Sequence, residues 1–360
     1  MTEPPERRAV LAALWLSGMA GAFFLMGDTP IAGRDFASMW LAGRAIRADI
    51  NVYDLEALRA FGHQLLHANT HFNYTYPPHA LFLAVPVSVL PITISFIVWN
   101  LLSAALFFWA ARPFVPRGMS PVLSILTPAA LVNCIFGQYG LLTGSLWLLA
   151  FRGSGLAAGA LTFKPHMGFL VLPALWRNKK TLSIAIWSAV GLVLTSAIVF
   201  GHWPDFIRHV TMVQGGKLIG RSESVWVLTG TTPMFGYGML GWLVFAASGA
   251  WLLARNYNVF TAATATFLIS PYGFHYDTTV VCLGFGILIF TKWNDMTFGA
   301  RVICWLAFLT PEIVSLGTWW VPPILLAGLH VQTRFKFDPS DGAVQSAPSE
   351  CGAELVNRDR

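Results

Sequence analysis

Long apolar runs separated by short polar connections set the pattern of this chain. They cover Ala9–Met26, Ile92–Ala111, Pro121–Phe136, Leu141–Phe151, Thr181–Phe200, Gly238–Ala254, Val259–Ser270, Thr278–Phe290, Val302–Leu309 and Val314–Leu329. The runs are continuous, so they predict helices and argue against a β-barrel, whose strands would alternate over about ten residues. Apolar runs long enough to cross roughly 30 Å of hydrocarbon recur along the chain. The expected fold is all-α, a polytopic transmembrane helical bundle of about 10–12 membrane segments. The polar interval after the first run predicts an outer loop carrying short amphipathic helices over Phe36–Ala48 and Leu55–His67. Between Leu156 and Trp176 the apolar pattern is interrupted by Phe163-Lys164-Pro165-His166. Proline breaks the backbone ladder there, which predicts two short helices meeting near one membrane face. His79–Leu90, between Pro77-Pro78 and Pro91, predicts a short re-entrant or interfacial piece.

Composition sharpens the class. The chain is 55% hydrophobic and 11% charged, against about 25% charged in soluble proteins. Cys134, Cys282, Cys304 and Cys351 are scattered without metal-ligand spacing, so neither a disulfide framework nor a zinc site is expected. The apolar core after Arg7 and Arg8 is about 18 residues long, no small-x-small cleavage site follows, and a retained first span is expected in place of a signal peptide. A transmembrane domain over 1–333 and a disordered cytoplasmic tail over 334–360 follow from the loss of apolar periodicity after Arg334. No internal repeat is evident, which weakens a transporter reading.

Charge orients the bundle. With the N-terminus inside, Arg7, Arg8, Arg112, Arg117, Arg152, Arg177, Lys179, Lys180, Arg255, Lys292, Arg301, Arg334, Lys336, Arg358 and Arg360 fall inside. Those 15 stand against 8 outside (Arg34, Arg44, Arg47, Arg59, Lys164, Arg208, Lys217 and Arg221), for the total of 23. The bias predicts cytoplasmic N- and C-termini and an even number of crossings; the expected location is a bacterial-type plasma (inner) membrane. Dispersed between spans, these charges account for the net +6 without a nucleic-acid partner; membrane lipids are the expected surroundings.

The same topology gathers the polar motifs on the outer face: the Asp35 loop, Tyr76-Pro77-Pro78, Gly137-Gln138-Tyr139-Gly140, Lys164-Pro165-His166, the His202–Gly236 loop and His275-Tyr276-Asp277. Asp35 has three readings: general base, ion-pair partner of Arg34, or N-cap of the next helix. Asp54 reads as a cap for Leu55–His67, and Asp277 as a cap for the helix that follows it. Phe36, Trp40, Tyr74 and Tyr76 read either as an interfacial belt or as a platform for sugar rings. Lys164 lies in an apolar region, where an ionisable group is costly unless it snorkels or pairs, and a lipid phosphate is a natural partner. Arg208, Lys217 and Arg221 are further cations for such an anion, or solvent-facing charges near lipid headgroups. His275 would donate to a phosphate oxygen. No nucleotide-binding loop, HExxH motif or nucleophile elbow is present, so an outward-facing enzyme needs an activated lipid donor.

These motifs in this order resemble glycosyltransferase family 87, the polyprenyl-phosphate-mannose-dependent mannosyltransferases of the GT-C class. The resemblance is carried by Asp35-Phe36 with Trp40 and Ala42-Gly43-Arg44-Ala45, by Tyr53-Asp54, and by Tyr76-Pro77-Pro78 with Leu90-Pro91 and Trp99. Gly137-Gln138, Lys164-Pro165, Ser270-Pro271-Tyr272 and Tyr276-Asp277 extend it, so that it runs from about residue 8 to 330. It implies a GT-C-like fold and an inverting transfer of a hexose, mannose first, from a β-linked polyprenyl-phosphate donor to a glycan or glycolipid acceptor. The product would be α-linked, and the reaction would need neither metal nor cofactor. Asp35 maps to the base in the first outer loop, and His275 to a donor-phosphate contact. Arg34, Tyr76, Gln138, Lys164, His166, Arg221, Tyr276 and Asp277 complete the expected substrate-binding set. Whether Glu223 or Asp277 assists Asp35 is left open. Two departures, Asp49-Ile50-Asn51-Val52 before Tyr53 and Tyr139 after Gln138, leave the acceptor open as well. A transporter or flippase of lipid-linked sugars would also use outer-face aromatics and cations, but it needs polar groups along a full crossing path. A purely structural membrane protein leaves the one-sided clustering unexplained.

Overall fold

The computed structural model describes residues 34–67, 72–211, 234–270, 273–314 and 317–335, together with Leu16. Among the described residues there are helices and turns but no strands, as the continuous apolar runs require. The first span expected, Ala9–Met26, and the tail from Lys336 onward lie outside them.

In chain order we label α1 (Asp35–Arg47), α2 (Leu55–Leu66), α3 (Leu81–Val87), α4 (Ile92–Ala111), α5 (Pro128–Phe136), α6 (Gly140–Phe151), α7 (Gly155–Ala160) and α8 (Lys179–Val199). They continue with α9 (Trp203–His209), α10 (Met234–Arg255), α11 (Val259–Ile269), α12 (Thr279–Lys292), α13 (Phe298–Phe308) and α14 (Val321–Arg334). The ends follow local chemistry. Asp54 accepts from the N–H groups of Glu56 and Ala57, both at 3.1 Å, and so caps α2 as expected. Asn258 and Thr261 form a reciprocal capping box at α11.

Proline and glycine divide several of the predicted runs. Pro121–Phe136 splits into a 3-10 turn, Pro121–Leu126, and α5, because Pro128 cannot continue a hydrogen-bonded ladder; Thr127 caps the second piece. Val314–Leu329 likewise yields a 3-10 turn, Thr318–Trp320, before α14. The interruption at Lys164-Pro165 is present: α7 passes through a 3-10 turn into the short helices Pro165–Gly168 and Leu172–Trp176. The expected His202–Gly236 loop contains α9 and the start of α10.

Two helical stretches are long and apolar enough to cross a membrane, Ile92–Phe114 of 23 residues and Lys179–Val199 of 21. The others are shorter; α6, with 12 residues, spans about 18 Å at 1.5 Å per residue. The long helices turn apolar side chains outward, Ile97, Leu101 and Leu102 on α4 and Trp187, Leu194 and Ile198 on α8.

The main core gathers α4, α6 and α10 to α14 around Phe107, Leu148, Phe267, Phe285 and Phe308. A second core surrounds α1: Phe36, Ala37, Leu41, Ala42 and Ala45 are all fully buried, with Trp40 nearly so. α1 is therefore enclosed by protein on almost every side and is not the amphipathic surface helix expected, whereas α2 keeps an exposed polar face. Trp40 sends its indole N–H to the Leu90 carbonyl at 2.9 Å. Phe36, Trp40 and Tyr74 are core residues, so neither the interfacial belt nor the sugar platform applies to them.

Candidate active site

Asp35 is the first residue of α1, with Arg34 in the N-cap position and no side-chain cap bond. Arg34 donates through Nη1 to the Ile135 carbonyl at 2.9 Å and lies over the Phe96 ring at 5.5 Å. Asp35 thus does not cap its helix, and the Arg34 guanidinium reaches toward α5. The carboxylate benefits from the positive end of α1, and the helix beneath it is locked: Phe36 meets Phe96 edge-on at 5.3 Å. Asp35 itself is exposed, yet the protein mass around its carboxyl pushes the pKa above the usual range, with Gln138 and Lys164 opposing. Much neighbouring protein together with open access describes a group in a concavity.

The turn between α5 and α6 supplies the next wall. Gly137 ends α5 with φ +64°, and a Cβ there would stand 2.6 Å from Cβ of Phe36, so the turn lies directly against the start of α1. Gln138 follows. Its Oε1 accepts the Tyr76 hydroxyl at 3.0 Å, which leaves the amide N–H groups for Asp35. The Gln138 carbonyl accepts from Trp99 Nε1 at 3.3 Å. With its amide oriented by its partners, Asn133 donates to the same carbonyl at 3.0 Å and accepts from Gly140 N–H at 2.7 Å.

Lys164 comes from the break before Pro165. Its ammonium meets Asp277 Oδ1 at 2.6 Å, with side-chain exposures of 4% and 0%, and it lies 5.6 Å from the Tyr76 ring and 5.2 Å from the Tyr276 ring. The N-cap position of α12 is Thr278, so the expected capping role of Asp277 is replaced by this ion pair. Burial raises the Asp277 pKa while Lys164 opposes that shift. The close approach is set by Gly140, where a Cβ would fall 2.0 Å from the Tyr276 carbonyl oxygen. Thr279 secures the contact by donating to the Gly140 carbonyl at 3.1 Å.

His275 stacks edge-on against Phe136 at 5.8 Å, beside the α5 end that Arg34 grips. His166 is half-buried, and desolvation followed by the nearby Lys164 charge pushes its pKa down to about 3. A neutral imidazole can still donate or accept one hydrogen bond. Arg208 is exposed on α9, and Arg221, Lys217 and Glu223 lie outside the described residues.

Asp35, Tyr76, Gln138, Lys164, Tyr276 and Asp277 thus come together from five separate segments. Asn133 and the stack of His79 on Trp203 at 5.8 Å were not anticipated; nothing in the local pattern distinguishes either from ordinary helix residues. α9 is tied to the first loop by Asn51 donating to Asp205 at 2.9 Å and by Phe206 against the Tyr53 ring at 5.6 Å.

No curated protein and no solved structure matches the chain. Residues 74–271, more than half of the chain, match the family model of glycosyltransferase family 87, and they include Tyr76, Gln138 and Lys164 of the assembled site. The protein belongs to glycosyltransferase family 87.

Proposed function

We propose that this glycosyltransferase is a multi-pass membrane enzyme that moves a hexose, mannose first among them, from a polyprenyl-phosphate donor to a glycan or glycolipid hydroxyl. The reading places the reaction at the extracytoplasmic face and inverts the β-linked donor to an α-linked product. One observation carries it: an accessible carboxylate at the rigid N-terminus of α1 that neither caps its helix nor shares an ion pair with Arg34. The outward apolar faces of α4 and α8 support the membrane setting.

In this reading Asp35 takes the proton of the acceptor hydroxyl as its oxygen attacks the anomeric carbon. The bond from that carbon to the phosphate oxygen breaks, and polyprenyl phosphate leaves with the electron pair. The sugar passes through an oxocarbenium-like state, so charge grows on the departing phosphate. Arg34 and His275, which meet the end of α5 at Ile135 and Phe136, are the groups we assign to it. Lys164 is committed to Asp277 and is not assigned there.

Purified protein given polyprenyl phosphate bearing radiolabelled mannose, with a membrane glycolipid extract as acceptor, tests the proposal. Transfer is expected, and Asp35→Asn should lower turnover by at least about 100-fold with little change in donor binding. Activity of that variant within a few-fold of the parent would refute the catalytic role.

A further inference from the structure

We infer that the buried Lys164–Asp277 pair sets the basicity of Asp35, Asp277 drawing off the ammonium charge that would otherwise hold Asp35 as a weak base. The inference deepens the proposed function, since it takes Asp35 to be the base.

The geometry comes first. Lys164 and Asp277 are shut from solvent and meet at 2.6 Å. Two side chains, Tyr76 and Gln138, link this pair to Asp35. The Tyr76 ring stands 5.6 Å from the Lys164 ammonium, its hydroxyl donates to Gln138, and the Gln138 amide faces Asp35. Nothing in the proposed transfer reaction occupies the pair, so its presence in a buried place calls for another reason. Buried ion pairs add little stability for their desolvation cost, and one of similar volume is often replaced without loss.

The other charged or titratable groups near Asp35 do not provide this control. Arg34 donates through Nη1 to the Ile135 carbonyl, burial and the Lys164 charge favour the neutral form of His166, and burial raises the pKa of Tyr139. Tyr76 is bound to Gln138, and His275 packs edge-on against Phe136 at the end of α5. α3 and α4 carry no charged residue. α2 meets α1 near Leu41, where Gly62 packs, about 9 Å along the axis from Asp35. Of its charged and titratable groups, Arg59 donates to the Phe72 carbonyl at 3.4 Å, His63 lies edge-on to the Phe72 ring at 6.2 Å, and Glu56 is exposed.

Without Asp277, the Lys164 charge still acts on Asp35 and favours its ionised form. An opposite charge close by lowers a carboxyl pKa by roughly 1–3 units, and a base so weakened removes a hydroxyl proton poorly. Asp277 keeps that charge occupied, which makes it and Lys164 positioning residues and not catalytic ones.

The test reads Asp35 directly and needs no substrate. A hydrophobic carbodiimide labels protonated carboxyls, and peptide mass spectrometry follows the labelling of Asp35 against pH in the full-length protein in detergent. Asp277, with no exposed side-chain surface, stays out of reach. In Asp277→Asn the labelling midpoint should fall by roughly one pH unit. In Lys164→Met it should rise above the parent, and in the double variant it should return upward from the Asp277→Asn value. Asp277→Glu, which keeps the charge, should stay near the parent. An unmoved midpoint in Asp277→Asn, or in Lys164→Met if the first variant does not fold, overturns the inference. The labelling result stands apart from the transfer assay, so failure of Asp35 as the base and failure of the pair as its regulator are separate outcomes.

Discussion

Asp35 and His166 show how the same surroundings act oppositely on an acid and a base. Both stand near Lys164, and burial moves each toward its neutral form: the carboxyl upward, the imidazole down to about 3. For His166 the consequence is a pH-dependent stability. Between about 3 and its ordinary 6.5, the unfolded chain binds a proton that the folded protein refuses. Stability is therefore lost as pH falls below 6.5. The thermal midpoint in detergent should drop between about pH 7 and pH 5, and His166→Gln should lessen that drop. Because His166 is not fully buried, the effect should be modest, and an equal decline in parent and variant would exclude it as the cause. Asp35→Asn distinguishes roles at the same scale, since asparagine caps helices as well as aspartate does. A large loss of turnover then reports lost basicity and not a frayed α1.

At the scale of elements, the site depends on how closely the α5–α6 turn approaches the connection before α12. Gly140 permits it, and a methyl group there would meet the Tyr276 carbonyl at 2.0 Å. Backbone cannot move aside as a flexible side chain can. Gly140→Ala should thus destabilise the protein by about 1–3 kcal/mol and separate Lys164 from Asp277, lowering transfer as well. Gly191, on the exposed face of α8 with nothing within 4 Å of where a methyl group would sit, is the control. Gly191→Ala should be neutral or stabilising by up to about 1 kcal/mol, as alanine favours a helix. Thermal unfolding of the two variants checks both, and equal midpoints would remove the close approach as a constraint.

At the scale of the whole molecule, three Arg–Trp pairs lie on the side that the charge bias assigns to the cytoplasm: Arg152 over Trp109, Arg255 over Trp251 at 3.5 Å, and Arg301 over Trp293 at 4.8 Å. Such pairs suit a membrane interface, where an amphipathic ring and a snorkelling guanidinium share the boundary. The orientation predicts that Gln64→Cys reacts with an impermeant maleimide on intact cells and Asn294→Cys only after permeabilisation. Both positions are exposed, and the reverse pattern would invert the topology. The helical class, the ends of α4, the break at Pro165 and the cap at Asp54 were legible in the chain alone, because hydrophobic period, proline and capping act within a few residues. Membership of the family was legible too, from short motifs kept in order. Tertiary structure decided the rest. Asp277 and Lys164 stand 113 residues apart, so their pairing, and the loss of the expected cap, depended on packing that no local pattern contains. The burial of Phe36, Trp40 and Tyr74 depended on it in the same way: an aromatic residue in a polar loop reads alike whether it meets lipid, sugar or core. What separates those fates is which helices close around it, and that is a property of the folded chain.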